Sequence, residues 1–257
     1  MKLKTLTIKI QKKLAWVMIN RPKKLNALNS ETLAELHHVL VSLEEDNKVR
    51  VVVLTGTGDT AFVAGADIRE LADLTPTDGA ALSVQGNQKV FDYIEHYNKP
   101  VIAAVNGYAL GGGLELAMAC HLRVFANTAK VGMPETSLGL IPGYGGTQRL
   151  PQLVGRGRAM ELLLTGDMIS AQRAYEIGLA NVICPPAALK SKVQELAAAI
   201  VKNAPEAQQQ LLAAVCAGFD SQTDGYAAET EAFGACFGTD NFVEGIQAFL
   251  HRRKPKF

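Results

Sequence analysis

Hydrophobic and polar positions along the first part of the chain predict alternating strands and helices. Two short β-rich segments, TLTIKI and LAWVMIN, flank the polar tripeptide QKK and predict a β-hairpin. Leucines at helical spacing in ETLAELHHVLVSLEED predict a helix that Ser30 caps. The nearly continuous apolar runs are typical of strands covered on both faces: VRVVVLTG, PVIAAVNG and HLRVFAN.

From Gly145 onward the pattern becomes mainly helical, interrupted by the strand-like segment ANVICP. Three amphipathic stretches follow, and the last predicted helix runs from Asp240 to Arg252. This tail has no self-contained apolar core, so we expect it to pack on the first part or on a partner subunit. The predicted organisation is an α/β core over residues 1–195 and a helical region over residues 196–257.

Composition narrows the class of protein. The formal net charge is +1, which argues against a general affinity for nucleic acid or anionic membranes. The four cysteines are far apart and form no CxxC pair, which favours a cytoplasmic protein over a disulfide framework. The five histidines show no HExxH or paired ligand spacing, so no metal site is predicted.

A dinucleotide-binding loop does not fit the glycines after the first buried strand. Gly56 to Ala61 matches GxGxxA, but no helix start follows until Asp67. The acid at the required distance, Asp78, lies in the polar segment TPTDGA, which the composition favours as a loop.

Two other stretches fit an anion site better. In FVAGADIREL, Asp67 and Glu70 match a capping pattern that would start a helix at about Ile68, and the small residues before Ala66 allow a close approach to its amide. In YALGGGLELA, glycines allow a similar approach at a helix start. Two such N–H groups converging on one oxygen would make an oxyanion hole. Helix capping and tight packing explain each stretch equally well when it is taken alone.

Glu115 is the one charge in an apolar helical segment that ends at Cys120. A carboxylate buried there is costly unless it is paired or required by function. One alternative is a buried ion pair with an arginine or lysine; the other is a general base beside an anionic intermediate. A second carboxylate, Glu135, follows Pro134, which predicts a helical turn whose dipole the acid complements.

Four long stretches resemble the signature segments of the crotonase (enoyl-CoA hydratase/isomerase) superfamily, in the family's order: AGADIREL, VNGYALGGGLELAMAC, MPETSLGLIPGYGGTQRL and LTGDMISAQRAYEIGL. The resemblance runs from RPKKLNAL near Arg21 to the C-terminal helix. It implies a spiral of repeated ββα units followed by a helical C-terminal trimerisation region. It also implies a homotrimer, or a homohexamer built as a dimer of trimers.

The same resemblance implies roles for particular residues. Ala66 and Gly112 correspond to the family's oxyanion-hole amides, and Glu115 and Glu135 correspond to the two catalytic glutamates of its hydratases. Two further segments correspond to parts of the wall that receives the substrate's CoA moiety, namely Ala64 with Ala66, Asp67, Ile68 and Arg69, and the loop residues Lys24, Leu25 and Ala27.

The pair of glutamates favours an enoyl-CoA hydratase, since many isomerases of the superfamily retain only one. The expected reaction is syn addition of water across the 2,3 double bond of a trans-2-enoyl-CoA, with short chains such as crotonyl-CoA favoured, as in fatty-acid β-oxidation. An enoyl-CoA isomerase or another acyl-CoA lyase of the family is the alternative. No cofactor is expected, because CoA is part of the substrate.

Overall fold

Ten strands build two sheets in the computed structural model, which describes residues 3–257. The strands are β1 (Leu6–Gln11), β2 (Leu14–Ile19), β3 (Val51–Gly56), β4 (Ala61–Ala64), β5 (Val101–Val105), β6 (Tyr108–Leu110), β7 (Leu122–Ala126), β8 (Lys130–Gly132), β9 (Ile169–Ser170) and β10 (Val182–Cys184). The larger sheet has the order β1-β2-β3-β5-β7-β10, and the smaller has the order β4-β6-β8-β9.

The helices surround these sheets and dominate the second part of the chain. They are α1 (Ser30–Glu45), α2 (Pro76–Gly86), α3 (Asp92–Glu95), α4 (Gly112–Ala119), α5 (Gly146–Val154), α6 (Arg156–Thr165), α7 (Ala171–Glu176), α8 (Leu189–Val201), α9 (Pro205–Ala217), α10 (Gly225–Cys236) and α11 (Asp240–Leu250). A π-helical turn, Asn87–Phe91, joins α2 to α3. No helix within residues 3–257 combines the length and the apolar character needed to cross a bilayer.

The chain alternates between the two sheets as it advances. β3, β5 and β7 pair side by side and in parallel in the larger sheet, and the strand after each of them joins the smaller sheet. Helical segments follow β4, β6 and β8 before the chain returns, so each turn of the spiral is a ββα unit. The predicted hairpin is confirmed by the antiparallel pairing of β1 with β2, in which Leu6 lies opposite Ile19.

Two local predictions are wrong. Asn29, rather than Ser30, caps α1, because the Asn29 side chain accepts a hydrogen bond from the Thr32 amide at 3.0 Å. The segment TPTDGA is the start of α2 instead of a loop: Thr75 and Asp78 form a reciprocal capping box there. Threonine and aspartate are common at helix starts as well as in loops, so the polar composition of this segment is compatible with the helix start found.

The central helix of the spiral is α4, and every residue in it is buried, as its sequence predicts. It fits against β4 because Gly113 has no side chain: a Cβ there would overlap with the carbonyl oxygen of Val63 in β4. This close approach places the first turn of α4 beside the end of β4.

The C-terminal helices have a different character. α9 and α10 contact each other and contain no buried residue, and Ala248 is the one buried residue of α11. Large apolar side chains of this region are exposed in the single chain, among them Leu211, Val215, Phe219, Phe233 and Phe249. The predicted boundary after residue 195 falls inside α8, and the division into two regions stays a prediction.

Replacing Gly113 with alanine tests the contact between α4 and β4. The added methyl overpacks the interface at a cost of roughly 1–3 kcal/mol, which should lower the melting temperature by roughly 3–10 °C. The matched control is Gly157→Ala in α6, where a Cβ meets nothing within 4 Å. We expect that control to melt at or slightly above the wild-type temperature. Circular dichroism follows the unfolding, and equal melting temperatures for the two variants would contradict this packing.

Candidate active site

Three parallel strands of the smaller sheet end side by side and bring the predicted site residues together. Leu110, at the end of β6, lies opposite Ala64 of β4 and Gly132 of β8. The carboxyl ends of parallel strands are where α/β folds bind ligands. The segments leaving these strands carry Ala66 after β4, Gly112 and Glu115 after β6, and Glu135 after β8.

The backbone amides of Ala66 and Gly112 are neighbours, and neither donates a hydrogen bond within residues 3–257. Ala66 forms an isolated parallel bridge with Leu28, but the bonds of that bridge involve its neighbours: the Leu28 N–H donates to Gly65 O at 2.9 Å and the Asp67 N–H to Leu28 O at 2.6 Å. The Ala66 nitrogen lies 3.8 Å from the position that a Cβ on Gly112 would occupy. Two unpaired donors therefore lie side by side on the cavity wall.

Gly111 makes the turn that exposes the second of these amides. Its backbone has φ +48° and ψ −121°, a combination that favours glycine, and α4 begins at the next residue. A Cβ on Gly111 would lie 2.5 Å from Oε1 of Glu135. Both the backbone conformation and the neighbouring carboxylate therefore require glycine at this position.

Glu115 lies one turn into α4 with a relative exposure of 1%. Its Oε1 accepts hydrogen bonds from the backbone amides of Tyr144 and Gly146, each at 2.8 Å. Among the described residues no cation forms a salt bridge with it, so the buried ion pair weighed from the sequence is not the arrangement found. Burial raises the pKa of Glu115 to about 7, against the lowering effect of the two amides. That value suits a general base at neutral pH.

Glu135 approaches the same space from a 3₁₀ turn, Pro134–Leu138, that opens on Pro134 as predicted. Its Oε2 is buried and accepts no hydrogen bond from any residue of the described range 3–257. Burial raises the pKa of this carboxyl group as well. An unpartnered buried oxygen of this kind is costly for folding, and such groups often have a functional role.

Both glutamates line one cavity of about 610 Å³. Its wall is mostly apolar and carries a few polar groups, as in many small-molecule sites. The lining residues include Ala64, Ala66, Ile68, Leu71, Leu82, Leu110, Gly112, Leu140, Ile141 and Tyr144. Among residues 3–257, Glu115 and Glu135 are the only charged residues in the lining.

Asp67 does not cap the helical turn that follows it, which corrects the predicted capping pattern. The turn Ile68–Glu70 has no side-chain cap. The Asp67 carboxylate instead accepts a hydrogen bond from Arg21 at 2.9 Å, which lowers its pKa, and Glu70 accepts from Ser30. Both acids hold the segment after β4 against neighbouring loops.

The loop RPKKLNAL packs along the same segment. The Ala64 amide donates to the carbonyl of Leu25 at 3.1 Å, and the Arg21 guanidinium donates to the carbonyl of Ala27. Lys24 and Arg69 are exposed. Of the predicted CoA contacts, Ala64, Ala66, Ile68 and Gly112 line the cavity, whereas Lys24, Leu25, Ala27, Asp67 and Arg69 lie outside its lining. CoA binding by these residues stays a prediction.

Sequence reasoning missed two residues that shape the site, Tyr144 and Arg149. Tyr144 donates its amide to Glu115 and lines the cavity, and its ring stacks on Phe91 with centroids 4.6 Å apart. Arg149 donates to the Tyr144 carbonyl at 2.8 Å. The glycines around Tyr144 in GYGGTQRL were the available signal, since they mark a turn where backbone approaches another group.

Two unpaired amides beside two buried carboxylates are an arrangement that could stabilise an oxyanion and transfer protons. The chain belongs to the enoyl-CoA hydratase/isomerase family, whose model matches residues 9–257. This confirms the resemblance drawn from the four sequence stretches.

Individual relatives agree over nearly the whole chain. The short-chain-enoyl-CoA hydratase of Clostridium acetobutylicum is 46% identical, with 99% of this chain and 97% of the relative covered. The crotonyl-CoA hydratase of Syntrophomonas wolfei is also 46% identical, covering 96% of this chain and 95% of its own. The crystal structure of an enoyl-CoA hydratase from Bacillus anthracis superposes with a TM-score of 0.92 at 38% identity, covering 99% of both chains. The crotonase-type fold is thereby confirmed.

Burial of Glu115 should make its replacement by glutamine stabilise the protein at high pH. The pKa rises from the ordinary 4.5 to about 7 on folding, so the folded state binds more protons in between and loses stability as the pH rises through that window. Glutamine has no titrating carboxyl group, so the variant lacks this loss of stability with rising pH. The stability difference, Glu115→Gln minus wild type, should therefore be more favourable at pH 8 than at pH 4.5 by about 1–3 kcal/mol.

Urea unfolding at both pH values measures this difference. Glu161→Gln, which changes an exposed glutamate on α6, is the matched control for the loss of one carboxylate. A Glu115→Gln variant whose stability relative to wild type is the same at both pH values would contradict a raised pKa.

Proposed function

We propose that this protein is an enoyl-CoA hydratase that adds water syn across the 2,3 double bond of a short-chain trans-2-enoyl-CoA. The product is a 3-hydroxyacyl-CoA. The observation that carries the proposal is the pair of buried carboxylates, Glu115 and Glu135, lining one cavity beside the unpaired amides of Ala66 and Gly112. The preference for short chains draws on the two relatives whose names specify short-chain-enoyl-CoA and crotonyl-CoA.

The two amides act on the thioester oxygen. When water attacks the β-carbon, negative charge moves through the conjugated system onto that oxygen and makes an enolate. Donors that are already oriented stabilise this charge without reorganising during the reaction. The N–H groups of Ala66 and Gly112 suit this role because neither has an acceptor among the residues that the structure describes.

The two carboxylates handle the protons. Glu115 accepts a proton from the attacking water, since its second oxygen, Oε2, makes no hydrogen bond with the described residues. Glu135 supplies the proton that ends on the α-carbon, and its raised pKa favours the protonated form that this step needs. Because each charge affects the other, the two groups titrate as a coupled pair.

CoA enters as part of the substrate, and the proposed reaction uses no other cofactor. The exposed cations Lys24 and Arg69 lie on segments that pack together beside the cavity, a position suited to the CoA phosphates. The Asp67 carboxylate is bound to Arg21 and so holds in place the segment that carries Arg69.

We propose a homotrimer, or a dimer of trimers, located in the cytoplasm. Exposed apolar side chains on α9, α10 and α11 support the assembly because a single chain leaves them in contact with water. The cysteines support the location, since all four are free thiols.

Glutamine at either site residue should reduce hydration of crotonyl-CoA by at least 10²-fold, because each variant loses one proton-transfer group. Loss of absorbance by the conjugated thioester measures the rate. Glu161→Gln, an exposed change, should keep wild-type turnover. Near-normal turnover in a folded Glu115→Gln or Glu135→Gln variant would contradict that residue's role.

Assays of the same enzymes with a 3-enoyl-CoA distinguish hydration from isomerisation. A wild-type chain that acts only on the 3-enoyl-CoA is an isomerase.

Gly112→Pro removes one oxyanion donor and should lower kcat by roughly 10²–10³-fold. Proline is tolerated at the first position of a helix, which Gly112 occupies in α4. The control is Gly112→Ala, which keeps the N–H and whose methyl would lie at ordinary contact distances, 3.7 Å from the Tyr144 ring and 3.8 Å from the Ala66 nitrogen. We expect alanine to retain activity within about tenfold of wild type. If alanine costs as much as proline in folded enzyme, side-chain volume rather than the donor explains the loss.

A further inference from the structure

We propose that Arg149 is a positioning residue that holds the turn Tyr144–Gly146 against Glu115 and so favours the ionised, proton-accepting form of the base. This inference rests on the proposed hydratase function and adds to it a residue that lies outside the cavity lining. Arg149 itself does not contact the space in which substrate would bind.

The Arg149 guanidinium binds the backbone at the middle of the turn. Its Nη1 donates to the carbonyl oxygen of Tyr144 at 2.8 Å. That carbonyl belongs to the peptide group between the two whose N–H groups bind Glu115, namely those of Tyr144 and Gly146. Because a peptide group is planar, fixing the middle one restricts the directions in which both flanking N–H groups point.

The other side of the guanidinium is fixed by two carboxylates on α3. Nη2 donates to Asp92 Oδ1 and to Glu95 Oε2, both at 2.6 Å, and Nε donates to the same Glu95 oxygen at 3.0 Å. Several donors of one planar group are thus used at once, a geometry that arginine offers and lysine does not. The arginine side chain is 6% exposed, whereas its partners Asp92 and Glu95 are 39% and 31% exposed.

The helical segment that carries those carboxylates also contacts the turn through an aromatic ring. Phe91, at the end of the π-helical turn, stacks on Tyr144 with an interplanar angle of 11°. Gly86 makes room for that tyrosine, since a Cβ there would overlap with its ring. The turn is therefore held on its side-chain face by Phe91 and on its backbone by Arg149.

The two glycines of the turn lie between the two charged groups. Gly145 has φ +87°, a conformation that favours glycine, and a Cβ on it would overlap with Nη1 of Arg149. A Cβ on Gly146 would lie 2.5 Å from Cε of Met133 and 2.9 Å from Oε1 of Glu115. The backbone thus passes closely between the guanidinium and the carboxylate.

The groups that face Glu115 give the expected direction of the effect. Glu135 raises its pKa, whereas the two amides and the Arg149 charge lower it. The Tyr144 hydroxyl stays neutral, because burial, Glu115 and Glu70 raise its pKa to about 12. Asp92 and Glu95 offset much of the Arg149 charge, so we attribute its influence mainly to the amides it positions. Loosening the turn should therefore raise the pKa of Glu115 further.

Arg149→Lys tests this inference, with kcat and KM for crotonyl-CoA measured from pH 5 to pH 9. Weakening one hydrogen bond to the Glu115 carboxylate should shift the acidic limb of the pH profile of kcat/KM to higher pH by about one unit. Relative to wild type at the same pH, turnover should fall by up to about tenfold at pH 7, most of this difference should disappear at pH 9, and KM should be nearly unchanged. Arg149→Met should shift the limb at least as far; if it does not fold, the lysine variant alone decides.

The matched control is Arg123→Lys. Arg123 is another buried arginine that donates to backbone carbonyls, those of Leu179 and Cys120, but it does not contact the turn. Arg123→Lys should lower the stability of the protein and leave the pH dependence of kcat/KM unchanged. A folded Arg149→Lys variant with an unshifted limb, or an equal shift in Arg123→Lys, would overturn the inference.

A titration that needs no turnover separates this inference from the proposed function. The carboxyl signal of Glu115 in protein labelled with ¹³C-glutamate is identified by its loss in Glu115→Gln. The midpoint of this titration should rise in Arg149→Lys. That rise is expected even if the wild-type chain hydrates no enoyl-CoA, and absence of hydration would refute only the proposed function. An unchanged midpoint would refute the role of Arg149.

Discussion

The site depends on one interaction: a buried carboxylate held by backbone amides instead of by a cation. Glu115 has an exposure of 1%, and two N–H groups bind one of its oxygens. A paired arginine or lysine would hold the carboxylate ionised and lower its basicity. Two neutral donors orient the group while burial keeps its pKa near 7. The result is a base that is fixed in position and still able to take a proton at neutral pH.

The rest of the spiral supplies the geometry that this base needs. Parallel strands in register bring three segments of the chain to one edge of the smaller sheet, so amide donors and carboxylates come together without long loops. Gly113 lets α4 approach β4, and Gly111 turns the chain so that an amide stays unpaired. This arrangement has a cost, since Glu115 is charged at high pH and Glu135 keeps a buried oxygen without a donor. Active sites commonly reduce stability in this way.

Much of this organisation could be predicted from the sequence, because the strong signals are local. The hairpin, the buried strands and the all-buried helix around Glu115 follow from hydrophobic patterning. Short polar segments were less informative: Asp67 matches a capping pattern yet binds Arg21, a distant residue. The convergence of Ala66 with Gly112 depends on strand register, and the anchoring of Arg149 depends on Asp92 and Glu95, which lie more than 50 residues away in the sequence. No periodicity in the sequence records such contacts.

The most direct measurement is a crystal structure of the wild-type enzyme with butyryl-CoA, which has no double bond to hydrate. The account predicts that the thioester oxygen lies about 2.7–3.1 Å from the backbone nitrogens of both Ala66 and Gly112. It also predicts one water molecule within hydrogen-bond distance of both Glu115 and Glu135. A thioester oxygen bound elsewhere, or a water molecule beyond reach of either carboxylate, would contradict it.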